Sequence, residues 1–156
     1  ADAAMTITLA SLASSATFVA GQEAASIDNT VNKYVDYRVT AKITTGTTPT
    51  VDKQIRVYAV GVLDDTPTWP DVFDGTDSAE TVTNTQILAT LPILGVTGVS
   101  ATSNVAYALI RMLTIAEAFG FVPPLWPLFV AHDTAVALNA TGGNHLVTSQ
   151  GAYFTS

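Results

Sequence analysis

The chain has 156 residues, which indicates one domain, and only 12% of them are charged, against about 25% in ordinary soluble domains. The net charge of −7, with six Lys and Arg residues in all, argues against nucleic-acid and anionic-membrane partners, because both need clustered cations. Because the chain has no cysteine, a disulfide framework, a thiol nucleophile and a zinc–thiolate site are excluded.

The first twelve residues predict an N-terminal arm or a first strand. Ile7 and Leu9 alternate with threonines, which is the period-two pattern of an extended chain. We expect residues 13–156 to form a single β-sandwich domain after this arm. Met5, Ile7 and Leu9 are candidate contacts to a partner.

The clearest strand pattern covers residues 34–44, where apolar and polar side chains alternate strictly. Residues 53–63 show a second, similar pattern, and a Gly- and Pro-containing turn separates the two. Because antiparallel strands tolerate short connections, we expect these strands to form a long hairpin. The predicted core side chains of the first strand are Val35, Tyr37, Val39, Ala41 and Ile43.

The second half of the chain predicts further short strands. Residues 81–94 are rich in β-branched side chains, residues 105–113 favour a strand followed by a helical turn capped by Gly120, and residues 125–130 are apolar throughout. Another strand closes the chain from about residue 144. About eight to ten short strands separated by turns are typical of an all-β antiparallel sandwich, and we expect a jelly roll with at most one short helix.

Residues 64–80 depart most from this pattern. The segment holds six acidic residues and no basic residue, and its Pro, Gly and Asp content prevents a continuous strand. It also carries Trp69 and Phe73. Such a loop is expected to be a surface contact site or a cation site.

Four acids of this loop, Asp71, Asp74, Asp77 and Glu80, recur at every third position. A calcium ion takes six to eight oxygen ligands, and in the EF-hand these come from every second residue, so the spacing differs. We therefore favour a solvated loop with an Asx-turn at Asp74 over a cation site, and we predict no metal or other cofactor.

Catalytic motifs are not evident. The two histidines, His132 and His145, lie on either side of a Gly-Gly turn and in no metal-binding spacing. His132 and its neighbour Asp133 would point to opposite faces of a strand, which excludes a triad-like arrangement. We predict that the protein is not an enzyme.

Three large aromatic residues, Trp69, Phe73 and Trp126, have no assigned role in this scheme. Such side chains anchor protein interfaces, stack on sugars, or cover the end of a sandwich. The sequence leaves these three roles open.

Residues 36–61, 64–82 and 125–145 resemble blocks found together in small virion proteins of tailed bacteriophages, and the similarity spans about residues 12–153. The resemblance implies a head decoration, or cement, protein with a jelly-roll fold that binds the major capsid protein on the capsid surface and self-associates as a dimer or trimer. The alternatives are a tail or neck structural protein and a carbohydrate-binding, receptor-binding domain that uses Trp69 and Trp126. The candidate interface residues are Met5, Ile7, Leu9, Trp69, Asp71, Phe73, Asp74, Asp77 and Trp126.

Overall fold

The computed structural model describes residues 2–154, which form two large antiparallel β-sheets packed face to face and one small two-stranded sheet. The predicted all-β sandwich is confirmed, although two α-helices of about one turn occur where at most one was expected. Among residues 2–154, none of the helices has the length and apolar character of a membrane span. The strands are β1 (Ala3–Ala4), β2 (Ala20–Glu23), β3 (Ile27–Asp28), β4 (Asp36–Thr44), β5 (Gln54–Ala59), β6 (Ser78–Thr81), β7 (Ile93–Gly98), β8 (Ala106–Leu109), β9 (Leu125–Trp126), β10 (Leu128–His132) and β11 (Leu146–Ala152). The helices are α1 (Thr85–Leu88), α2 (Ile115–Phe119) and a 3-10 turn (Gly142–Asn144).

The strand pairing is nested. One sheet has the order β1-β11-β4-β8, the other has the order β6-β2-β10-β5-β7, and β3 pairs with β9 at one end. Strands from the start of the chain therefore pair with strands from its end: β1 with β11 and β2 with β10. Strands nearer the middle of the sequence pair with each other, β4 with β8 and β5 with β7.

The predicted hairpin between residues 34–44 and 53–63 is wrong, because β4 and β5 lie in different sheets. The intervening turn crosses from one sheet to the other and is held there by other loops; the N–H of Thr45 donates to Val105 O at 3.0 Å, for example. The predicted core face of β4 is correct from Tyr37 to Ile43, whereas Val35 is 45% exposed. The alternation of apolar and polar residues predicts which face of a strand is buried, but it does not predict which strand lies beside it.

Helix α1 lies within residues 81–94, where the β-branched content predicted a strand. Its N-cap Asn84 accepts the backbone N–H of Ile87 at 2.9 Å, which satisfies one free donor of the first turn. The helical turn predicted before Gly120 is confirmed as α2. Thr114 and Glu117 form a capping box at its start, and Gly120 ends it with a φ of 78°.

Two apolar cores lie on opposite faces of the five-stranded sheet. The larger core fills the sandwich between the sheets and includes Val39, Ile43, Ile55 and Val130. The smaller core lies on the outer face of the five-stranded sheet, beneath the segment that contains the acidic loop and α1. It consists of Phe18, Tyr58, Val60, Phe73, Val82, Leu88, Leu91, Phe129 and Ala131. The segment that follows β5 is therefore a third layer over this sheet.

The N-terminal arm folds back onto the sandwich. The N–H of Met5 donates to Val147 O, and the carbonyl of Leu12 accepts the N–H of Leu138. Met5, Leu9 and Leu12 belong to the larger core. The arm therefore closes one side of the domain.

Candidate functional site: the acidic loop and the apolar end

The two aromatic residues of the acidic loop, residues 64–80, attach it to the sheet below. Phe73 is 3% exposed and packs edge-on against Phe129 of β10. Trp69 is half-buried, and its indole lies so close to Gly75 that a Cβ there would be 2.6 Å from the ring. Gly75 also has a φ of +79°, which favours glycine. Of the three roles left open for these aromatics, Phe73 takes that of a covering residue.

Four of the six acids of the loop follow a repeated pattern. In each case one carboxylate accepts hydrogen bonds from both the backbone N–H and the Oγ–H of a single threonine. Because hydrogen bonds favour the ionised carboxylate, those from Thr83 lower the pKa of Asp71, and those from Thr76 lower the pKa of Asp74. The pairs in the loop are Asp64 with Thr68, Asp71 with Thr83, Asp74 with Thr76, and Asp77 with Thr8.

The Asp74–Thr76 pair is the Asx-turn that the sequence predicted, with the N–H of Thr76 2.9 Å from Asp74 Oδ1. Asp71 bonds a threonine twelve residues away instead, at 2.8 Å from its N–H and 2.6 Å from its Oγ1. The four carboxylates at every third position therefore accept hydrogen bonds from different segments of the chain. They do not lie together as one group of four.

Asp77 joins three parts of the molecule. Its carboxylate accepts the N–H of Thr8 at 2.8 Å, the Oγ–H of Thr8 at 2.6 Å, and a side-chain N–H of Gln22 at 2.6 Å. Burial acts to raise the pKa of Asp77, but these hydrogen bonds lower it below the usual value. Asp77 therefore fixes the N-terminal arm and β2 to the acidic loop.

Glu23, at the end of β2, is completely buried beneath the loop. Its carboxylate accepts the N–H of Gly75 at 2.7 Å and, at 3.3 Å, the N–H of Asp74. Burial raises the pKa of Glu23 to about 7, although the two N–H donors act to lower it. Sequence reasoning missed this residue because its partners lie more than 50 positions away.

Glu23, Asp74 and Glu80 form the one group of residues 2–154 that offers three possible metal-ligand atoms within 4.8 Å of one another. A hard cation such as Ca²⁺ prefers carboxylate oxygens, but it needs six to eight of them, and carbonyls or water would have to complete the shell. Without a cation, the same closeness favours a proton on one carboxylate.

Several of the candidate interface residues are buried within the chain. Trp126 is 0% exposed and packs edge-on against Tyr37, with ring centroids 5.0 Å apart. Met5 and Leu9 are also buried, and Ile7 is half-buried against the same core. Met5, Ile7 and Leu9 were candidate contacts to a partner, and alternation cannot show whether an arm packs on its own domain or on a partner's.

Both histidines have structural partners. His132 is completely buried; its Nε2 lies 3.0 Å from Leu12 O, its Nδ1 lies 2.9 Å from the Thr134 hydroxyl, and burial lowers its pKa. His145 accepts the N–H of Thr44 at Nδ1 and lies 2.9 Å from Asn139 O at Nε2. Ring nitrogens engaged in this way hold backbone segments together.

Six of the twelve exposed large apolar side chains lie near the end of the sandwich where β4 begins and β11 ends. Backbone pairing between the two segments extends to this end, because the N–H of Val35 donates to Ala152 O. The rings of Tyr34 and Tyr153 lie 6.1 Å apart beside it. The neighbouring strands β3 and β9 pair at the same end. We call this surface the apolar end; its exposed members are Val31, Val35, Leu63, Phe121, Tyr153 and Phe154.

These features define a class of protein: an all-β sandwich with a covering acidic loop, an arm folded onto its own core, and an apolar end open to solvent. Comparisons of the chain with protein-family models, with curated proteins and with solved structures found no match.

Proposed function

We propose that the protein is a structural component of a tailed-phage virion, a decoration protein that binds the major capsid protein on the head surface and stabilises the shell. The observation that carries this proposal is the apolar end. Tyr153 and Phe154 there are 68% and 86% exposed, and Phe121 is 58% exposed. Exposed apolar side chains gathered on one surface mark contact sites for other proteins.

The fold supports the same proposal. We interpret the sandwich as a jelly roll, because its pairs β1 with β11, β2 with β10, β4 with β8 and β5 with β7 are those of a long hairpin rolled into two sheets. The resemblance of residues 36–61, 64–82 and 125–145 to phage virion proteins points in this direction too.

A non-enzymatic role is part of the proposal. It is supported by the structural hydrogen bonds that engage both histidines. The carbohydrate-binding alternative loses support, since Trp126 is fully buried and offers no face to a sugar. We further propose that copies associate as a dimer or trimer on the particle, because many weak symmetric contacts add up once one is made.

Mixing purified protein with undecorated phage heads tests the proposal. We expect the protein to co-sediment with heads and to raise their resistance to heat. Replacing Phe121 or Tyr153 by Asp should weaken binding at least about tenfold, because a charge would enter an apolar contact. Val51→Asp is the matched control, since Val51 is 54% exposed on the turn at the opposite end.

Failure of the wild-type protein to bind heads would contradict the proposed decoration role. Binding to purified tails instead would assign the protein to the tail or neck. Equal binding by the Phe121→Asp and Val51→Asp variants would mean that the apolar end is not the docking surface.

A further inference from the structure

Four strands lie at the ends of the two large sheets, and three of them are protected against pairing with a further strand. β1 has only two residues, and β6 carries Glu80 and adjoins the acidic loop. The outer edge of β7 is covered in part by the segment after β8, because the N–H of Leu113 donates to Leu94 O and Met112 lies against Gly95. Short length, charge and a covering segment are the usual means by which proteins prevent pairing at a sheet edge.

Strand β8 is the exception. It ends the four-stranded sheet, its residues Ala106 and Ala108 are exposed, and residues 81–110 contain no charged side chain. The N–H of Thr45 donates to Val105 O, so every second residue of this strand, counted from Val105, directs its backbone groups towards β4. The N–H and C=O groups of Ala106 and Ala108 therefore point to the open edge.

The side chains along this edge are complementary to a copy of themselves. Those of Ala106 and Ala108 lie on the outer face of the sheet, and Ile110, which is 57% exposed, borders the same face beside Lys42. A twofold axis through Ala108 would place each Ile110 opposite Ala106 of the other copy in an antiparallel pair. A large side chain would then cover a small one on both sides of the axis.

The charges nearest the edge do not oppose this arrangement. Arg111 follows Ile110 in the chain, and Lys42 lies opposite Ala108 in β4. In the twofold pair the two Arg111 residues would be about 20 Å apart and the two Lys42 residues about 14 Å apart. Both separations exceed the screening length of about 8 Å at physiological salt. A chain of net charge −7 would thus meet its copy along an uncharged strip.

We propose that the open edge of β8 pairs antiparallel with β8 of a second copy, which joins the two four-stranded sheets into one continuous sheet and forms a twofold dimer. The inference rests on the self-association part of the proposed function and specifies its contact. Backbone hydrogen bonds supply the affinity of such a contact, and the fit of Ile110 to Ala106 sets its register.

The mass of the purified protein in solution, without phage heads, provides the first test. Sedimentation equilibrium should show the mass rising with concentration to twice that of one chain. Ala108→Pro removes the outward N–H without breaking a bond to β4, and it should raise the dimer dissociation constant at least about tenfold.

Ala79→Pro is the matched control. Ala79 is exposed on β6, and its N–H also points away from the neighbouring strand, because the N–H of Val82 donates to Val19 O. This variant should dimerise as the wild type does. Equal weakening by both proline variants would overturn the proposal.

Amide exchange in the wild-type protein provides a test that does not depend on any variant's folding. The N–H groups of Ala106 and Ala108 should exchange at least about tenfold more slowly at concentrations where the dimer forms than in dilute monomer. Tyr107 and Leu109, whose N–H groups face β4, should be protected in both states.

A protein that stays monomeric up to roughly 1 mM would overturn the β8 pairing, as would a trimer or a dimer with Ala108 unprotected. Head binding separates this result from the proposed function. A monomer that binds heads would refute the pairing and leave the decoration role intact. A dimer that dissociates in Ala108→Pro but does not bind heads would support the pairing and contradict the decoration role.

Discussion

Phe73 and Phe129 meet edge to face, with ring centroids 5.3 Å apart and an interplanar angle of 73°. One ring belongs to the acidic loop and the other to β10, so the contact joins the covering layer to the middle of the five-stranded sheet. The relationship gives the loop a packing role that its acidic composition conceals.

Phe73→Ala should therefore destabilise the whole domain by about 3–5 kcal/mol, the usual loss for a buried phenylalanine. Urea denaturation followed by far-UV circular dichroism measures this change. Phe154→Ala is the control, because Phe154 is 86% exposed and its loss should change the free energy of unfolding by less than about 0.5 kcal/mol. Similar values for both variants would contradict the buried position of Phe73.

Asp77→Ala should destabilise the protein by about 1–3 kcal/mol, because three hydrogen bonds to Thr8 and Gln22 are lost together. It should also speed amide exchange at Thr8, whose N–H the carboxylate accepts. Asp65→Ala, in the same loop, should leave both quantities unchanged. Normal protection at Thr8 in Asp77→Ala would show that the arm is held by its apolar contacts alone.

Sequence reasoning predicted the local features of this fold. The alternation of apolar and polar residues predicted the buried face of β4. The Asp74-Gly75-Thr76 stretch predicted an Asx-turn, and the residues before Gly120 predicted the helical turn α2. Each of these depends on residues a few positions apart, where propensity and side-chain capping act directly.

Long-range contacts could not be predicted in the same way. Thr8 and Asp77 are 69 positions apart, and Glu23 and Gly75 are 52 positions apart. Their proximity follows from the pairing of β2 with β6, which no local pattern encodes. The candidate site was therefore found in part, since the acidic loop was recognised but the buried carboxylate under it was not.

Glu23 should make the protein less stable as the pH rises. Its folded pKa of about 7 lies above the unfolded value of about 4.5, so its contribution is complete below pH 4.5 and is lost as the pH rises to about 7. We expect a loss of about 2–3 kcal/mol over this interval from this group. Denaturation curves at several pH values should show a smaller decline for Glu23→Gln, and an identical decline would contradict the assignment.

His132 should make the protein less stable as the pH falls, which is opposite to the effect of Glu23. Burial lowers its pKa, so its contribution is present above about pH 6.5, the unfolded value, and is lost as the pH falls through the folded value. In the Glu23→Gln background, stability should therefore decrease on acidification below pH 6.5. Adding His132→Gln to this background should lower the free energy of unfolding at neutral pH and remove most of its decrease below pH 6.5. Adding His145→Gln instead of His132→Gln should leave that decrease unchanged.

Strand β11 lies between β1 and β4 in the four-stranded sheet, although it is the last strand of residues 2–154. During synthesis β1 cannot pair with β11 until residues 146–152 have left the ribosome, so the N-terminal arm remains unattached at β1 while the residues between these two strands are made. Pairings between distant segments also slow folding. Ribosome-bound chains that end before Leu146 should be sensitive to proteases, whereas chains extended by a linker beyond Ala152 should become resistant.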